Sequence, residues 1–457
     1  MSVKESLNVE APQLSAPTST EKKSCSQSAV SFDTKVNYDR FLDCIHCGLC
    51  TATCPTYVEL GNENDGPRGR IHLMRAVTDE RVELSPQIRQ HLDLCLDCRA
   101  CETACPSGVK YGEIIEPFRS ALAEKDRNDG KKLDLFHRLI LFKLFPSAKL
   151  TRLSLIPARI AQSIKLDQWF LNSPLKKLLP KKILALTEML PPLGANLPSL
   201  PTHLPAKGKQ RAKVALFTGC VADAVFRSTH WATARVLQEN GCEVVVPKNQ
   251  TCCGAIHVHS GQEDQARPYL EANLTAFEDP SIDAIIVNVA GCGAMLKEYH
   301  HHFKETTDQK RLKTFMSKVK DVHEFLDELG VIPPKGRIEA TATYHDACHL
   351  RHAQQIAAAP RNLLNQIPGL KLIPLPESEL CCGAAGTYNL TQPEMANRLG
   401  VRKIENVKRT DAELLLAANA GCLLQLHKVA KQQHLNSWIG HPIDLLDLSY
   451  QQKQPKL

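Results

Sequence analysis

Cys44-Ile-His-Cys47-Gly-Leu-Cys50-Thr-Ala-Thr-Cys54-Pro55 places four thiols within eleven residues. Cys95-Leu-Asp-Cys98-Arg-Ala-Cys101-Glu-Thr-Ala-Cys105-Pro106 repeats the arrangement with the same spacing. Thiolates clustered this tightly are ligands for soft metal centres, zinc or iron–sulfur clusters. Zinc takes four ligands, usually as two Cys pairs. Two copies of Cys-x2-Cys-x2-Cys-x3-Cys-Pro fit instead the run that holds 4Fe–4S clusters.

In that run three cysteines reach three irons of one cube, and the fourth points to the other cube. The expected sets are therefore crossed: Cys44, Cys47, Cys50 and Cys105 for cluster 1, and Cys54, Cys95, Cys98 and Cys101 for cluster 2. Gly48 keeps the first loop tight, and Pro55 and Pro106 end the turns. His46 reads as a surface residue or a hydrogen-bond partner, not a ligand. Between the runs, Gly66-Pro-Arg-Gly reads as a turn before a helix that starts at Ile71. Arg68 and Arg70 either offset the clusters' negative charge or pair with Glu63 and Asp65. Ser85 and Pro86 cap and open another helix.

A second constellation lies beyond residue 212. Cys220, the pair Cys252-Cys253 followed by Gly254, and Cys292 are matched by Cys348, Cys381-Cys382 followed by Gly383, and Cys422. The intervals between the corresponding cysteines differ by one residue, so the second half is a repeat. Each copy closes with a His before an apolar helix, His323 and His441. Each quartet suits a further iron–sulfur cluster or a zinc ion; buried thiols without metal are the alternative. His257, His259, His345 and His349 flank these loops as neighbours of the ligands rather than ligands. Cys242 falls outside the repeat and reads as a core residue.

The elements that must hold these cysteines follow from the apolar pattern. Short helices connect the first two runs. Runs such as Ala284-Ile-Ile-Val-Asn and Glu413-Leu-Leu-Leu-Ala read as buried parallel strands, each ending at a cysteine loop. The predicted class is α+β: a mostly helical di-cluster ferredoxin-type domain, then two pseudo-symmetric α/β units. Expected boundaries are a disordered tail over 1–35, the twin 4Fe–4S domain over 36–125, a basic helical linker over 126–210, and Cys-Cys-Gly domains over 211–335 and 336–450. Cys25, in the tail, belongs to no motif.

The 457 residues are 43% hydrophobic and hold 18 cysteines, all but Cys25 and Cys242 in clusters, the usage expected of a reducing compartment. The start of the chain has no apolar core of a secretory signal, and no apolar stretch is long enough to cross a bilayer as a helix. Net charge is +7, but residues 131–182 hold twelve Lys or Arg against two acids, so the remainder is slightly acidic. Prolines cut this segment into short amphipathic helices with Trp169 and Phe170 among the lysines. Such helices lie in a membrane interface, or pack on the ferredoxin-type domain or a partner subunit with their lysines in water. No nucleic-acid readout motif accompanies the charge.

The repeat resembles the tandem cysteine-rich domains of heterodisulfide reductase subunits, and the order of motifs resembles the iron–sulfur subunit of glycolate oxidase (glycolate dehydrogenase). The phrases that carry this are Gly66-Pro-Arg-Gly-Arg-Ile, Cys252-Cys-Gly-Ala-Ile-His-Val-His, Tyr344-His-Asp-Ala-Cys-His-Leu and Cys381-Cys-Gly-Ala-Ala-Gly-Thr-Tyr. The resemblance implies an electron-transfer subunit that serves FAD-containing glycolate oxidase subunits and delivers electrons toward a quinone or other membrane acceptor. The implied place is the cytoplasmic face of the inner membrane, as a peripheral protein. Lactate and anaerobic glycerol-3-phosphate dehydrogenase subunits are related alternatives. In heterodisulfide reductases the last cysteine of each repeat belongs to a Cys-x2-Cys, where this chain has Met295 and Gln425. That departure argues against disulfide-reducing chemistry. No Gly-x-Gly-x-x-Gly fingerprint and no catalytic residue are found, so substrate chemistry is expected of partner subunits.

Overall fold

The structure is a computed structural model that describes residues 35–194, 196–303 and 308–456. The tail expected over 1–35, with Cys25, lies outside the described residues apart from Lys35.

The first part is helical. Pro55–Leu60, Pro67–Thr78, Pro86–Asp93, Ala100–Thr103 and Gly112–Asn128 are helices, and the cysteines of the two runs lie in the loops between them, except Cys101 within Ala100–Thr103. Ser85 Oγ accepts the Ile88 N–H at 3.2 Å, with Pro86 in the first turn, as expected. Gly66-Pro-Arg-Gly is not a separate turn: Pro67 opens the helix itself, because its missing N–H is harmless at the first helical position. Phe41, Ile71, Met74, Leu92, Ile114, Ile115 and Phe118 close a core behind the loops.

The second half contains two sheets. Strands β1 (His203–Leu204), β2 (Ala212–Phe217), β3 (Cys242–Val245), β4 (Ala284–Val287) and β5 (Val319–Asp321) form one, in the order β1-β3-β2-β4-β5. Strands β6 (Thr341–His345), β7 (Lys371–Ile373), β8 (Leu414–Ala417) and β9 (Trp438–Gly440) form the other, in the order β7-β6-β8-β9. Every pairing is parallel except β1 with β3. Without β1 the two orders are the same, with β2, β3, β4 and β5 in the places of β6, β7, β8 and β9. This is the pseudo-symmetry expected of the repeat. β4 and β8 are buried along their whole length, as central strands covered on both faces must be.

The two units share one core. Leu237, Val322 and Leu326 of the first pack in the same cluster as Leu423, Ile443 and Leu446 of the second. Arg235 Nη2 meets Asp447 Oδ2 at 2.7 Å, and Thr229 Oγ1 donates to Asp444 Oδ2 at 3.0 Å across the boundary.

The basic segment forms the short helices Ala148–Ser154, Ile156–Ser163, Leu166–Asn172 and Lys181–Met189, with a π-helical turn over His137–Leu144 and a 3-10 turn over Pro174–Leu178. Its end supplies β1, which its composition did not announce. No helix among the described residues is long and apolar enough to cross a membrane.

Candidate metal centres

The two cysteine runs interlock. Cys44, Cys47, Cys50 and Cys105 line one small pocket, with Arg68 and Cys101. Cys54, Cys95, Cys98 and Cys101 line a second, with Arg70 and Tyr111. Cys105 thus lies with the first run and Cys54 with the second, and Cys101 borders both pockets. Cys54 is the N-cap of Pro55–Leu60, whereas Cys105 follows a helix and Pro106 opens none.

The sets differ in exposure. Cys47 is exposed, flanked by Ile45 and Leu49 at 68% and 61% exposure. Cys98 is buried, and burial pushes the Cys98 and Cys101 thiols well above the ordinary range. Thiols so placed stay protonated unless a metal takes the proton's place. Arg68 and Arg70 each line a thiol pocket and pair with an acid, Glu63 and Asp65. Arg68 pairs with Glu63, with Nη2 3.1 Å from Oε2, and donates Nη1 to the His46 carbonyl at 3.0 Å. Arg70, wholly buried, donates to the His91 carbonyl at 2.7 Å and reaches Cys54 Sγ at 3.9 Å. Asp97 N–H points at Cys95 Sγ at 3.4 Å, and Tyr111 Oη lies 3.6 Å from the same sulfur.

In each repeat the parallel strands end at the cysteines, where α/β sheets place their sites. β2 leads to Cys220 and β6 to Cys348; β4 and β8 lead to helices with Cys292 and Cys422 in their first turns. Gly254 and Gly383 have φ of +88° and +86°, and a Cβ on Gly383 would stand 2.6 Å from the Ala396 carbonyl. Only glycine fits there without strain, which accounts for the third letter of Cys-Cys-Gly. In the first quartet Cys220 Sγ is 3.3 Å from Cys252 Sγ, and Cys253 Sγ is 3.4 Å from Cys292 Sγ. Hydrogen bonds from Cys252 and then Cys292 hold the Cys253 thiol well below its ordinary range. In the second quartet Cys348 Sγ is 4.0 Å from Cys381 Sγ, while Cys382 and Cys422 come together with a ring nitrogen of His345 within 4.8 Å.

His345 is thus closer to its quartet than a flanking position suggested. His349 Nδ1 lies 3.5 Å from Cys348 Sγ. His257 stacks on Phe142 with ring centroids 5.0 Å apart. Cys242 is fully buried on β3, in the core. Lys403, buried beside Glu377 and Ser378, is held down to about 8 by its burial.

The second quartet touches the helical domain. Cys98, Cys348 and Cys381 belong to one buried cluster with Leu96 and Tyr388, whose hydroxyl donates to the Leu94 carbonyl at 2.9 Å. Both quartets also border one mainly apolar cavity of about 570 Å3, closed on another side by the linker helices.

A buried polar network, not anticipated from sequence, joins the helical domain to the first repeat. Arg99 meets Asp97 at 2.8 Å and Glu116 at 3.0 Å; Glu116 accepts from His259 at 3.0 Å; His302 bridges Glu116 and Glu263 at 3.3 and 2.9 Å. Burial opposes the Glu116 charge, but Arg99 and His259 overcome it and hold this carboxyl well below the usual range. Its members are scattered from residue 97 to 302, so no local pattern marks it.

Comparison with known proteins agrees with this layout. Residues 40–109 match the 4Fe-4S dicluster domain family, and residues 214–297 and 342–427 each match the cysteine-rich domain family. The chain is 35% identical over 436 residues to the probable glycolate oxidase iron-sulfur subunit of Bacillus subtilis (strain 168), covering 93% of this chain and 98% of that one. It is 31% identical to the glycolate oxidase iron-sulfur subunit of Escherichia coli (strain K12), covering 87% and 92%. The chain belongs to the glycolate oxidase iron–sulfur subunit family. It is also similar to lactate utilization protein A of Exiguobacterium sp., at 31% identity over 52% of this chain and 95% of that one.

Membership in the glycolate oxidase iron–sulfur subunit family makes 4Fe–4S clusters its cofactors, and the donor sets fit them. Each set offers four thiols around one pocket with an arginine in its wall, and in the second set N–H and O–H groups also aim at sulfur, the environment that anionic sulfur clusters need.

Proposed function

We propose that this chain is the iron–sulfur electron-transfer subunit of a glycolate dehydrogenase complex, serving FAD-containing subunits that oxidise glycolate to glyoxylate and delivering electrons toward a quinone-level acceptor. Cys44, Cys47, Cys50 and Cys105 would hold one 4Fe–4S cluster, and Cys54, Cys95, Cys98 and Cys101 the other. When bound, such clusters supply one-electron transfer at low potential.

The observation that carries this reading is the order of the thiol sets. The first is exposed at Cys47 among apolar side chains, the second is buried and shares Cys101 with it, and Cys98 adjoins Cys348 and Cys381 of the second quartet. A series running from the surface inward suits transfer between partners. The same adjacency favours a further iron–sulfur cluster over zinc in the quartets, because zinc has no redox chemistry to offer there. The chain's own side chains do the rest. Arg68 and Arg70 offset negative charge, Leu96 and Tyr388 keep water from Cys98, and the Arg99–Glu116–His259 network fixes the helical domain on the first repeat. Ile45 and Leu49 offer an apolar contact for a flavoprotein. The basic helices support peripheral membrane association on the cytoplasmic face.

Anaerobic affinity purification of the tagged chain from its native cells tests the assignment. One or more flavoproteins, with flavin in stoichiometric amount, should accompany it and confer glycolate oxidation on the preparation. Recovery without any flavoprotein would count against the reading, and oxidation of lactate but not glycolate would move the substrate to the lactate branch.

A further inference from the structure

The two repeats differ at one strand end. β2 ends at Phe217 and β6 at His345, each three residues before the first cysteine of its quartet. Each pairs with the last residue of the central strand beside it, Val287 or Ala417, so the two positions are equivalent. Phe217 packs on Phe277 with ring centroids 6.0 Å apart and carries no donor atom. His345 is fully buried, and one of its ring nitrogens gathers with the Cys382 and Cys422 sulfurs within 4.8 Å.

The hydrogen bonds of His345 fix which nitrogen is bare. Nδ1 lies 3.0 Å from the Ser378 carbonyl oxygen, which can only accept, so Nδ1 carries the hydrogen. The Asp346 N–H and Lys403 Nζ donate to the same carbonyl at 3.1 and 3.4 Å and hold it in place. Nε2 keeps its lone pair. It is buried and has no hydrogen-bond partner among the described residues. An unpaired buried acceptor is costly, and a metal that takes the lone pair removes the cost. One ring N–H on a carbonyl and the other nitrogen bare is the arrangement of metal-ligating imidazoles.

We propose that His345 Nε2 adds a nitrogen donor to the second quartet, binding an iron of its cluster at the end held by Cys382 and Cys422. The proposal rests on the reading of that quartet as an iron–sulfur site. The bond forms from the Nε2 lone pair, and no proton leaves, because the ring keeps its hydrogen on Nδ1. The second site is then a mixed nitrogen–sulfur centre, whereas Phe217 gives the first repeat nothing in the same place. Imidazole ligation raises the potential of an iron–sulfur centre relative to thiolate ligation. The second quartet's cluster should therefore hold its electron more firmly than it would without the nitrogen.

The test uses the full chain with its clusters, prepared anaerobically with histidine of the ordinary or the heavy nitrogen isotope. Dithionite reduces it, and pulsed paramagnetic resonance reads the nitrogen couplings. The unaltered chain should show a strongly coupled nitrogen that changes with the isotope, the signature of an imidazole bound to iron. His345→Leu should lose it, while His349→Leu, which alters the histidine beside Cys348, should keep it. In a redox titration the quartet's cluster in His345→Leu should have a lower midpoint potential than in the parent. His345→Cys, which returns a sulfur donor, should keep the quartet's iron but show no coupled nitrogen. Iron in the quartet of the unaltered chain without isotope-sensitive coupling, or coupling that survives in His345→Leu, overturns the proposal and leaves the iron–sulfur reading standing. Zinc in the quartet, seen by X-ray absorption, overturns both. Because dithionite supplies the electrons, neither result depends on glycolate oxidation by the partner subunits.

Discussion

His323 and His441 stack on one another, ring centroids 5.2 Å apart and planes 26° from parallel. Each follows the last strand of its repeat and starts a helix, Val322–Leu329 or Pro442–Tyr450, so the pair lies on the pseudo-two-fold relation between the units. His441 Nε2 meets the Asn288 carbonyl oxygen at 3.0 Å, and the Asn288 amide reaches His230 Nδ1 at 3.1 Å. Three buried imidazoles thus occupy the seam. Burial holds His441 well below its ordinary range, and lowers His230 from 6.5 to about 4.

This seam makes the fold acid-sensitive. The folded chain resists protonating His230, so the stability it supplies is complete above 6.5 and is lost as pH falls toward about 4. Between pH 7 and pH 5 the loss from His230 alone is about 2 kcal/mol. His230→Asn should be less stable than the parent at pH 7, and the gap should narrow by about that amount at pH 5. Anaerobic urea unfolding followed by circular dichroism at the two pH values measures it; a gap independent of pH contradicts the assignment.

Cross-ligation predicts a long-range effect in the first domain. Cys105→Ser should damage the cluster built on Cys44, Cys47 and Cys50 while the other persists. The unaltered first domain should bind about eight irons and give magnetically coupled signals when reduced. Paramagnetic resonance and iron analysis on anaerobically prepared protein decide this. Loss of the other cluster instead would reverse the ligand sets.

The quartets should be needed for assembly or electron delivery. Cys253→Ala combined with Cys382→Ala should abolish acceptor reduction by the complex while the signals of the first domain remain. Full retention of acceptor reduction would leave the quartets as packing.

What could be read in advance had local causes. Cysteine spacing is set by the chain itself, so the twin runs, the quartets and their matching intervals were visible. β4 and β8 were visible because a strand buried on both faces is written as an unbroken apolar run. Pro67 misled because Gly-Pro-Arg-Gly resembles a turn, although proline is equally at home in the first turn of a helix. β1 is two residues long, too short to leave a pattern. The Glu116 network and the proximity of His345 to Cys382 and Cys422 are products of tertiary packing between residues far apart in sequence. The linker's two-sided apolar character was legible as composition, but its position over both quartets was not.

The linker also sets a prediction for membrane attachment. Lys182 is engaged with Asp134 and stands 4.8 Å over the Phe136 ring, so it belongs to the fold. Lys149 and Lys165 are exposed and Lys176 is half-buried. Replacing these three by Gln should weaken binding to anionic vesicles by about 3 kcal/mol, on the order of 100-fold, and high salt should mimic the effect. Flotation of the complex with vesicles measures it; equal flotation of parent and variant would make the linker a subunit-packing element.

The most direct measurement of the whole account is the visible absorbance of the oxidised clusters after anaerobic addition of glycolate. The chain alone should keep its absorbance, and addition of its flavoprotein partners should bleach it within the turnover time of the complex. Bleaching by glycolate without any flavoprotein, or none with a flavoprotein active toward dyes, would contradict an electron-transfer subunit that depends on its partners.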